Sequence, residues 1–146
     1  MLIIGLGNAD RGDDAAGLLV ARTLREHELH AIEHTGAPID LLDRWSGHHQ
    51  VVVVDAIVSG AAPGTIRSWD ARATSLHACV FRSSTHEFGL SETIELARVL
   101  NRLPNWLRVY GIEGMQFDMG SSPSPEIWRA ARNVTEQICR IISGIE

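Results

Sequence analysis

The sequence predicts a doubly wound α/β domain, with helices on both faces of a mainly parallel, twisted sheet. Short apolar segments alternate along the chain with segments whose apolar residues recur at helical spacing. Two of the short segments, 2–6 and 51–54, are apolar on both faces, as in buried parallel strands. The chain has 146 residues, of which 45% are hydrophobic and 21% charged. That composition fits a single globular domain over residues 1–146 with its own core.

The first half of the chain holds four predicted strands and two predicted helices. The run at 51–54 consists of four valines, and consecutive β-branched residues favour a central strand. The segment 65–69 alternates in polarity, which indicates a strand nearer an edge. In order, the predicted elements are a strand over 2–6, a helix with apolar Ala16, Leu19, Val20 and Leu24, a weaker strand over 31–35, a short helix from Pro38 to Leu42, and strands over 51–54 and 65–69.

The second half holds two predicted helices and one strand. Segment 71–85 has no periodicity, and we predict a loop there, with a short helix as the alternative. Ser91 is a suitable N-cap for the next helix, which Pro104 stops. That helix carries apolar Ile94, Ala97 and Val99. A strand over 106–112 and a loop over 114–123 follow it. The last predicted helix starts at Ser124-Pro125 and ends at Gly144, and its apolar residues are Ile127, Ala131, Val134, Ile138 and Ile141.

Charge and composition argue against several classes of partner. The formal net charge is -5, and the basic residues are scattered. We therefore expect no binding to nucleic acid or to a membrane surface. The sequence shows neither a signal segment nor a transmembrane stretch, so the cytoplasm is the expected location. Cys79 and Cys139 lie far apart, and we expect them to be reduced, with a disulfide as the alternative.

Three polar residues are the candidates for chemistry: Asp14, Asp55 and His86. Asp14 opens a helix after the first strand, Asp55 follows the four valines, and His86 lies in a hydroxyl-rich segment before a helix. Open α/β sheets bind ligands at the carboxyl ends of their strands. Two carboxylates and one imidazole gathered there would form an O,O,N set suited to a borderline divalent metal.

Each candidate also has a purely structural interpretation. One aspartate suffices to cap the first helix. We predict that Asp13 caps it and that Asp14 points into the site, with the reverse as the alternative. Asp55 has a second interpretation as the cap of a turn at 59–60, and a lone histidine such as His86 is more often a surface or core residue.

Other chemistries fit the sequence poorly. The glycine-rich turn after the first strand fails as a dinucleotide motif, because Asp10 stands where the third glycine is needed and the neighbouring acids would repel a pyrophosphate. Arg11, in the same turn, is a candidate ion-pair partner for these acids. The sequence has no GxSxG and no HExxH, and Cys79 has no nearby histidine except His77, which argues against serine, cysteine and ordinary zinc proteases.

Four ordered motifs resemble those of the hydrogenase maturation proteases, and they span nearly the whole chain. Any one of them is weak, but four in series with compatible spacing are specific. They are Gly5-Leu6-Gly7-Asn8 with residues 12–17, Val53-Val54-Asp55-Ala56 with Pro63-Gly64-Thr65, Ser84-Thr85-His86 with Gly89-Leu90, and residues 109–114 with Gly120 and Ser124-Pro125-Glu126. Gly114 stands where some relatives carry proline, which suggests a distinct subgroup and a different hydrogenase partner.

The resemblance implies a single-domain, three-layer α/β sandwich and a specific task. Family members remove a C-terminal extension from the large-subunit precursor of a [NiFe] hydrogenase after nickel insertion. The family's metal-contacting positions fall on Asp14, Asp55 and His86. We therefore expect these three residues to form the catalytic and metal-contacting site of an endopeptidase. The nickel would be supplied by the precursor, and other divalent metals would be able to substitute. A nickel-dependent binding protein or assembly chaperone without peptidase activity is the alternative.

Overall fold

One sheet organises the protein. The structure is a computed structural model that describes residues 1–76, 81–82 and 88–144. Its strands are β1 (Leu2–Leu6), β2 (Ala31–His34), β3 (Gln50–Ile57), β4 (Ile66–Asp70) and β5 (Trp106–Glu113). They lie in the order β2-β1-β3-β5-β4. The first three and β5 are parallel, and β4 pairs antiparallel with β5 at one edge. The mainly parallel sheet and the edge position of 65–69 are confirmed.

Helices cover both faces of the sheet, which confirms the predicted α/β class. The helices are α1 (Ala16–Glu26), α2 (Leu41–Arg44), α3 (Leu90–Val99) and α4 (Pro125–Ile142), and short 3-10 segments at Gly12–Ala15 and Pro38–Asp40 precede α1 and α2. Alternate residues of each central strand point to opposite faces. Val52 and Val54 pack with α1 and α4 on one face, while Val51 and Val53 pack with α2 and α3 on the other.

The start of α1 lies unusually close to the sheet. A Cβ atom on Gly17 would lie 2.3 Å from the carbonyl oxygen of Val54 and 2.4 Å from that of Leu6. A Cβ on Gly5 would in turn lie 2.0 Å from the carbonyl oxygen of Gly17. Only glycine permits backbones to approach this closely. The two glycines therefore hold the beginning of α1 against the carboxyl-terminal halves of β1 and β3.

Several element ends differ from the sequence prediction. β3 continues past Val54 to Ile57, so Asp55 lies within the strand. The N-cap of α3 is Gly89, whose N–H donates to the Glu92 carboxylate at 2.9 Å, and Ser91 lies inside the helix. This helix ends at Val99, which is 83% exposed.

The end of α3 comes before Pro104 because the backbone turns left-handed at Asn101, with φ at 55°. The tryptophans also divide between interior and surface: Trp45 is buried, whereas Trp128 is 52% exposed. At the other end of the chain, Ser124 and Pro125 do start α4, as predicted. Gly144, with φ at 76°, follows its last turn.

The segment after β4 is anchored to α3 by one arginine. The Arg98 guanidinium donates to the carbonyl oxygens of Ala71 and Thr74, and it pairs with Glu95 at 2.9 Å. This hydrogen bond from Arg98, with others from Ser75 and Leu76, lowers the pKa of Glu95 to about 2, although burial opposes the shift. Part of the predicted loop over 71–85 lies outside the described residues. Among the helices that are described, none is both long and apolar enough to cross a bilayer.

Candidate functional site

A cleft opens at the carboxyl edge of the sheet, where the chain order reverses between β1 and β3. β2 lies on one side of β1, and the chain then crosses to β3 on the other side of β1. The loops that follow β1 and β3 therefore lead away from each other and leave a crevice between them. The cleft has a volume of about 430 Å³. Its lining residues are Leu6, Gly7, Asn8, Arg11, Asp14, Thr35, Gly36, Pro38, Asp55 and Arg82.

Two carboxylates from different elements meet at this cleft. Asp14 lies in the 3-10 turn that leads into α1, and it is 9% exposed. Asp55 lies on β3, exposes no surface to water, and accepts a hydrogen bond from the Ala56 N–H at 2.9 Å. The close approach at Gly17 brings these two elements together, because Gly17 follows Asp14 by three residues and touches the carbonyl of Val54.

Asp13 does not cap the first helix, contrary to the prediction. It is fully buried and binds a distant segment instead. One of its oxygens accepts from the N–H groups of Met115 and Gln116, at 2.8 and 2.9 Å. The other accepts from the N–H and the hydroxyl of Ser124, at 2.8 and 2.9 Å. Burial alone would raise the pKa of Asp13, but these four hydrogen bonds hold the pKa below its ordinary value of 3.8.

Two arginines line the cleft together with the two aspartates. Arg11 precedes the 3-10 turn, and its carbonyl oxygen accepts from the Asp14 N–H at 3.0 Å. Arg82 lies between β4 and α3 in the sequence, with its guanidinium carbon 4.6 Å from the centre of the Phe117 ring. The predicted ion pair between Arg11 and the neighbouring acids is not among the ion pairs of the described residues.

Glu113 is a buried acid that the sequence prediction did not single out. It ends β5 and is 2% exposed. Its carboxylate accepts from the Ser59 N–H at 2.9 Å and also from the Ser59 hydroxyl. Ser59 therefore binds Glu113, and this acid, rather than Asp55, holds the turn after β3. The sequence did contain a signal for Glu113, because this acid directly follows the predicted strand over 106–112. The same pattern, an acid directly after a predicted strand, pointed to Asp55.

The proposed third ligand, His86, lies outside the described residues. Within the described part of the chain, no group of three or more His, Cys, Asp and Glu side chains is arranged to hold a metal. The structure thus brings Asp14 and Asp55 to one cleft. The assignment of Asp14, Asp55 and His86 as metal contacts stays a prediction.

Comparison with known proteins identifies the family. The sequence model of the HycI hydrogenase maturation proteases matches residues 18–141. The chain belongs to this family. The curated hydrogenase expression/formation protein HupD of Thiocapsa roseopersicina is 26% identical over 133 residues, which cover 87% of this chain and 60% of that protein. The chain thus spans under two thirds of the length of this relative.

Solved structures of family members share the fold. The [NiFe] hydrogenase maturation protease HybD from Thermococcus kodakarensis superimposes with a TM-score of 0.77 at 25% identity, over 96% of this chain and 97% of that one. The [NiFe] hydrogenase maturation protease HycI from Thermococcus kodakarensis KOD1 gives a TM-score of 0.73 at 28% identity, over 97% and 91% of the two chains. The predicted membership of the family is confirmed.

Proposed function

We propose that this protein is an endopeptidase that removes the C-terminal extension of a [NiFe] hydrogenase large-subunit precursor after nickel insertion. Membership of a family of hydrogenase maturation proteases supports the reaction class. The observation that carries the proposal for this chain is the meeting of two carboxylates, Asp14 and Asp55, at one cleft of about 430 Å³.

Nickel in this proposal belongs to the precursor and is recognised as part of the substrate. Asp14 and Asp55 would contact it from this chain, and His86 would supply the third contact. Two carboxylates and an imidazole suit a borderline divalent ion that keeps its remaining ligands in the precursor. Asp14 retains some exposure whereas Asp55 has none, so an entering ion would meet Asp14 first. Contact with Asp55 would then require the groups that cover it to move aside.

Recognition of nickel would make cleavage conditional on metal insertion. These contacts fix the position of the bound metal, and with it the neighbouring peptide bond, relative to the cleft. Positioning of a reacting group alone supplies several kcal/mol of barrier reduction, about 7 or more in well-oriented cases. A precursor without nickel would lack the contacts and would remain uncut. The metal or an adjacent carboxylate would activate the water that cleaves the peptide bond.

Variants of the three proposed contacts test the site. The assay incubates purified protein with a nickel-loaded precursor and follows the mass of the large subunit. We expect Asp14→Asn, Asp55→Asn and His86→Ala each to slow the loss of the extension strongly. Asp43→Asn is the matched control for the carboxylates, because the Asp43 side chain is 89% exposed and does not line the cleft.

The same assay separates a protease from a binding protein. Only a protease shortens the large subunit, whereas an assembly chaperone would bind the loaded precursor and leave its mass unchanged. Full processing by both Asp14→Asn and His86→Ala would show that the metal contacts are assigned to the wrong residues.

A further inference from the structure

Arg82 is held in the cleft by a chain of contacts that begins next to the proposed metal contact Asp14. Asp13 fixes the backbone at Met115 and Gln116 by two hydrogen bonds. The next residue, Phe117, packs against the α1/α4 face of the core. The Arg82 guanidinium stacks on the Phe117 ring at 4.6 Å. A stacked guanidinium keeps its N–H groups free at its edge and loses little further entropy when they bind.

The net formal charge of the cleft lining would become positive when a metal cation enters. Two carboxylates and two guanidiniums line the cleft, so their formal charges cancel. No hydrogen bond or ion pair within the described residues engages the guanidinium of Arg11 or Arg82. Once Asp14 and Asp55 bind a cation, the two guanidiniums are the remaining charged groups of the described lining. They would then attract negative charge that develops beside the metal.

We infer that Arg82, assisted by Arg11, binds the carbonyl oxygen of the scissile peptide and stabilises the oxyanion formed during cleavage. This inference rests on the proposed endopeptidase function. The oxygen of water bonds to the carbonyl carbon, and the π electron pair moves onto the carbonyl oxygen, which accepts hydrogen bonds from the guanidinium N–H groups. When the pair returns, the C–N bond breaks. The proton lost by water ends on the amine of the released extension.

Groups that stabilise an oxyanion act mainly on the chemical step. Removal of one such donor typically lowers kcat by about 10²- to 10³-fold. We therefore expect Arg82→Ala to lower kcat for the nickel-loaded precursor by about 10²-fold, with KM changed only slightly. Phe117→Leu, which removes the stacking ring and keeps the arginine, should cause a smaller loss of kcat. That result would make Phe117 a positioning residue, which acts through Arg82.

The experiment compares Arg82→Ala with Arg67→Ala, because Arg67 is also stacked on an aromatic ring, at 4.9 Å from Trp69 on β4, but does not line the cleft. Both variants are assayed with and without added guanidinium ion. A fall in kcat for Arg82→Ala alone, partly restored by guanidinium, is the expected result. If Arg82→Ala unfolds, Arg82→Lys and Arg67→Lys replace the pair, and only Arg82→Lys should lose kcat.

Two outcomes would overturn the inference while leaving the proposed function intact. In the first, wild-type protein cleaves the precursor and Arg82→Ala has the same kcat as Arg67→Ala. In the second, Arg82→Ala raises KM at unchanged kcat, which would assign Arg82 to substrate binding only. Failure of the wild-type protein to cleave a nickel-loaded precursor would instead refute the proposed function, and this inference with it.

Discussion

Replacement of Gly17 by alanine tests how the fold brings Asp14 to the cleft. The added Cβ would lie 2.3 Å from the Val54 carbonyl oxygen and 2.4 Å from the Leu6 carbonyl oxygen, whereas ordinary contacts begin at 3.4 Å. Contacts under 3.0 Å do not occur, so the start of α1 and the sheet must separate by at least 0.7 Å, the difference between 3.0 and 2.3 Å, and by 1.1 Å to reach an ordinary contact at 3.4 Å. Both obstructing atoms belong to the backbone, so no side-chain rotation relieves the contact.

Two effects of the substitution change the free energy of unfolding in opposite directions. Alanine is a better helix former than glycine, which by itself would stabilise the protein by up to about 1 kcal/mol. Forced insertion into a packed region destabilises by about 1–3 kcal/mol. Because two backbone oxygens oppose the new methyl group, we expect the second effect to win and Gly17→Ala to be the less stable protein.

The same displacement should reduce activity in the protein that remains folded. Asp14 leads directly into α1, so a shift of α1 moves this carboxylate relative to Asp55. Misplacement of a reacting group by about 1 Å costs on the order of 10²-fold in rate. Urea denaturation gives the stability, and cleavage of a nickel-loaded precursor at a temperature where the variant is folded gives the activity.

Gly36→Ala is the control for the stability measurement, because the nearest atom to its added Cβ is at 3.8 Å and we expect no destabilisation. A Gly17→Ala protein that is as stable as wild type or more so, and that cleaves at the wild-type rate, would refute the argument. The close approach of α1 would then have no part in forming the site.

Three further predictions concern buried or paired acids. Asp13→Asn replaces one carboxylate oxygen by an NH2 group, so two of the four hydrogen bonds lose their acceptor, and the free energy of unfolding should fall by about 3 kcal/mol at pH 7. Because the pKa of Asp13 is lowered from 3.8, this difference in stability should be full above pH 3.8 and shrink as the pH falls further. A difference that does not change with pH would contradict this prediction. The pKa of Glu95 is lowered from 4.5 to about 2, chiefly by its hydrogen bond from Arg98, so wild type should lose its stability advantage over Glu95→Gln between pH 4.5 and about 2 in urea titrations. Glu113→Gln should speed hydrogen exchange of the Ser59 amide, whose acceptor it weakens, and unchanged protection would show that the carboxylate charge is unimportant there.

Sequence patterns identified the parts of this fold that depend on local physics. Consecutive valines marked β3, the alternating segment at 65–69 marked an edge strand, and Ser124-Pro125 marked the start of α4. The meeting of Asp14 and Asp55 was also predictable, because the carboxyl ends of neighbouring parallel strands share one edge of the sheet.

The remaining features depend on contacts between distant segments. Asp13 binds residues more than 100 positions away, which no local pattern reveals. Capping rules favour it as a helix cap, but its partners lie in the loop after β5. Arg82 stacks on Phe117 across segments that have no periodicity. Gly89, and not Ser91, is the N-cap of α3, because the Glu92 carboxylate accepts a hydrogen bond from the Gly89 N–H.

The central claim is that cleavage depends on nickel in the precursor. Mass spectrometry of one precursor preparation, divided into nickel-loaded and nickel-free portions and incubated with equal amounts of this protein, tests it most directly. We predict that the loaded large subunit loses its C-terminal extension and that the nickel-free one keeps its full mass. Equal rates of shortening in the two portions would contradict the claim.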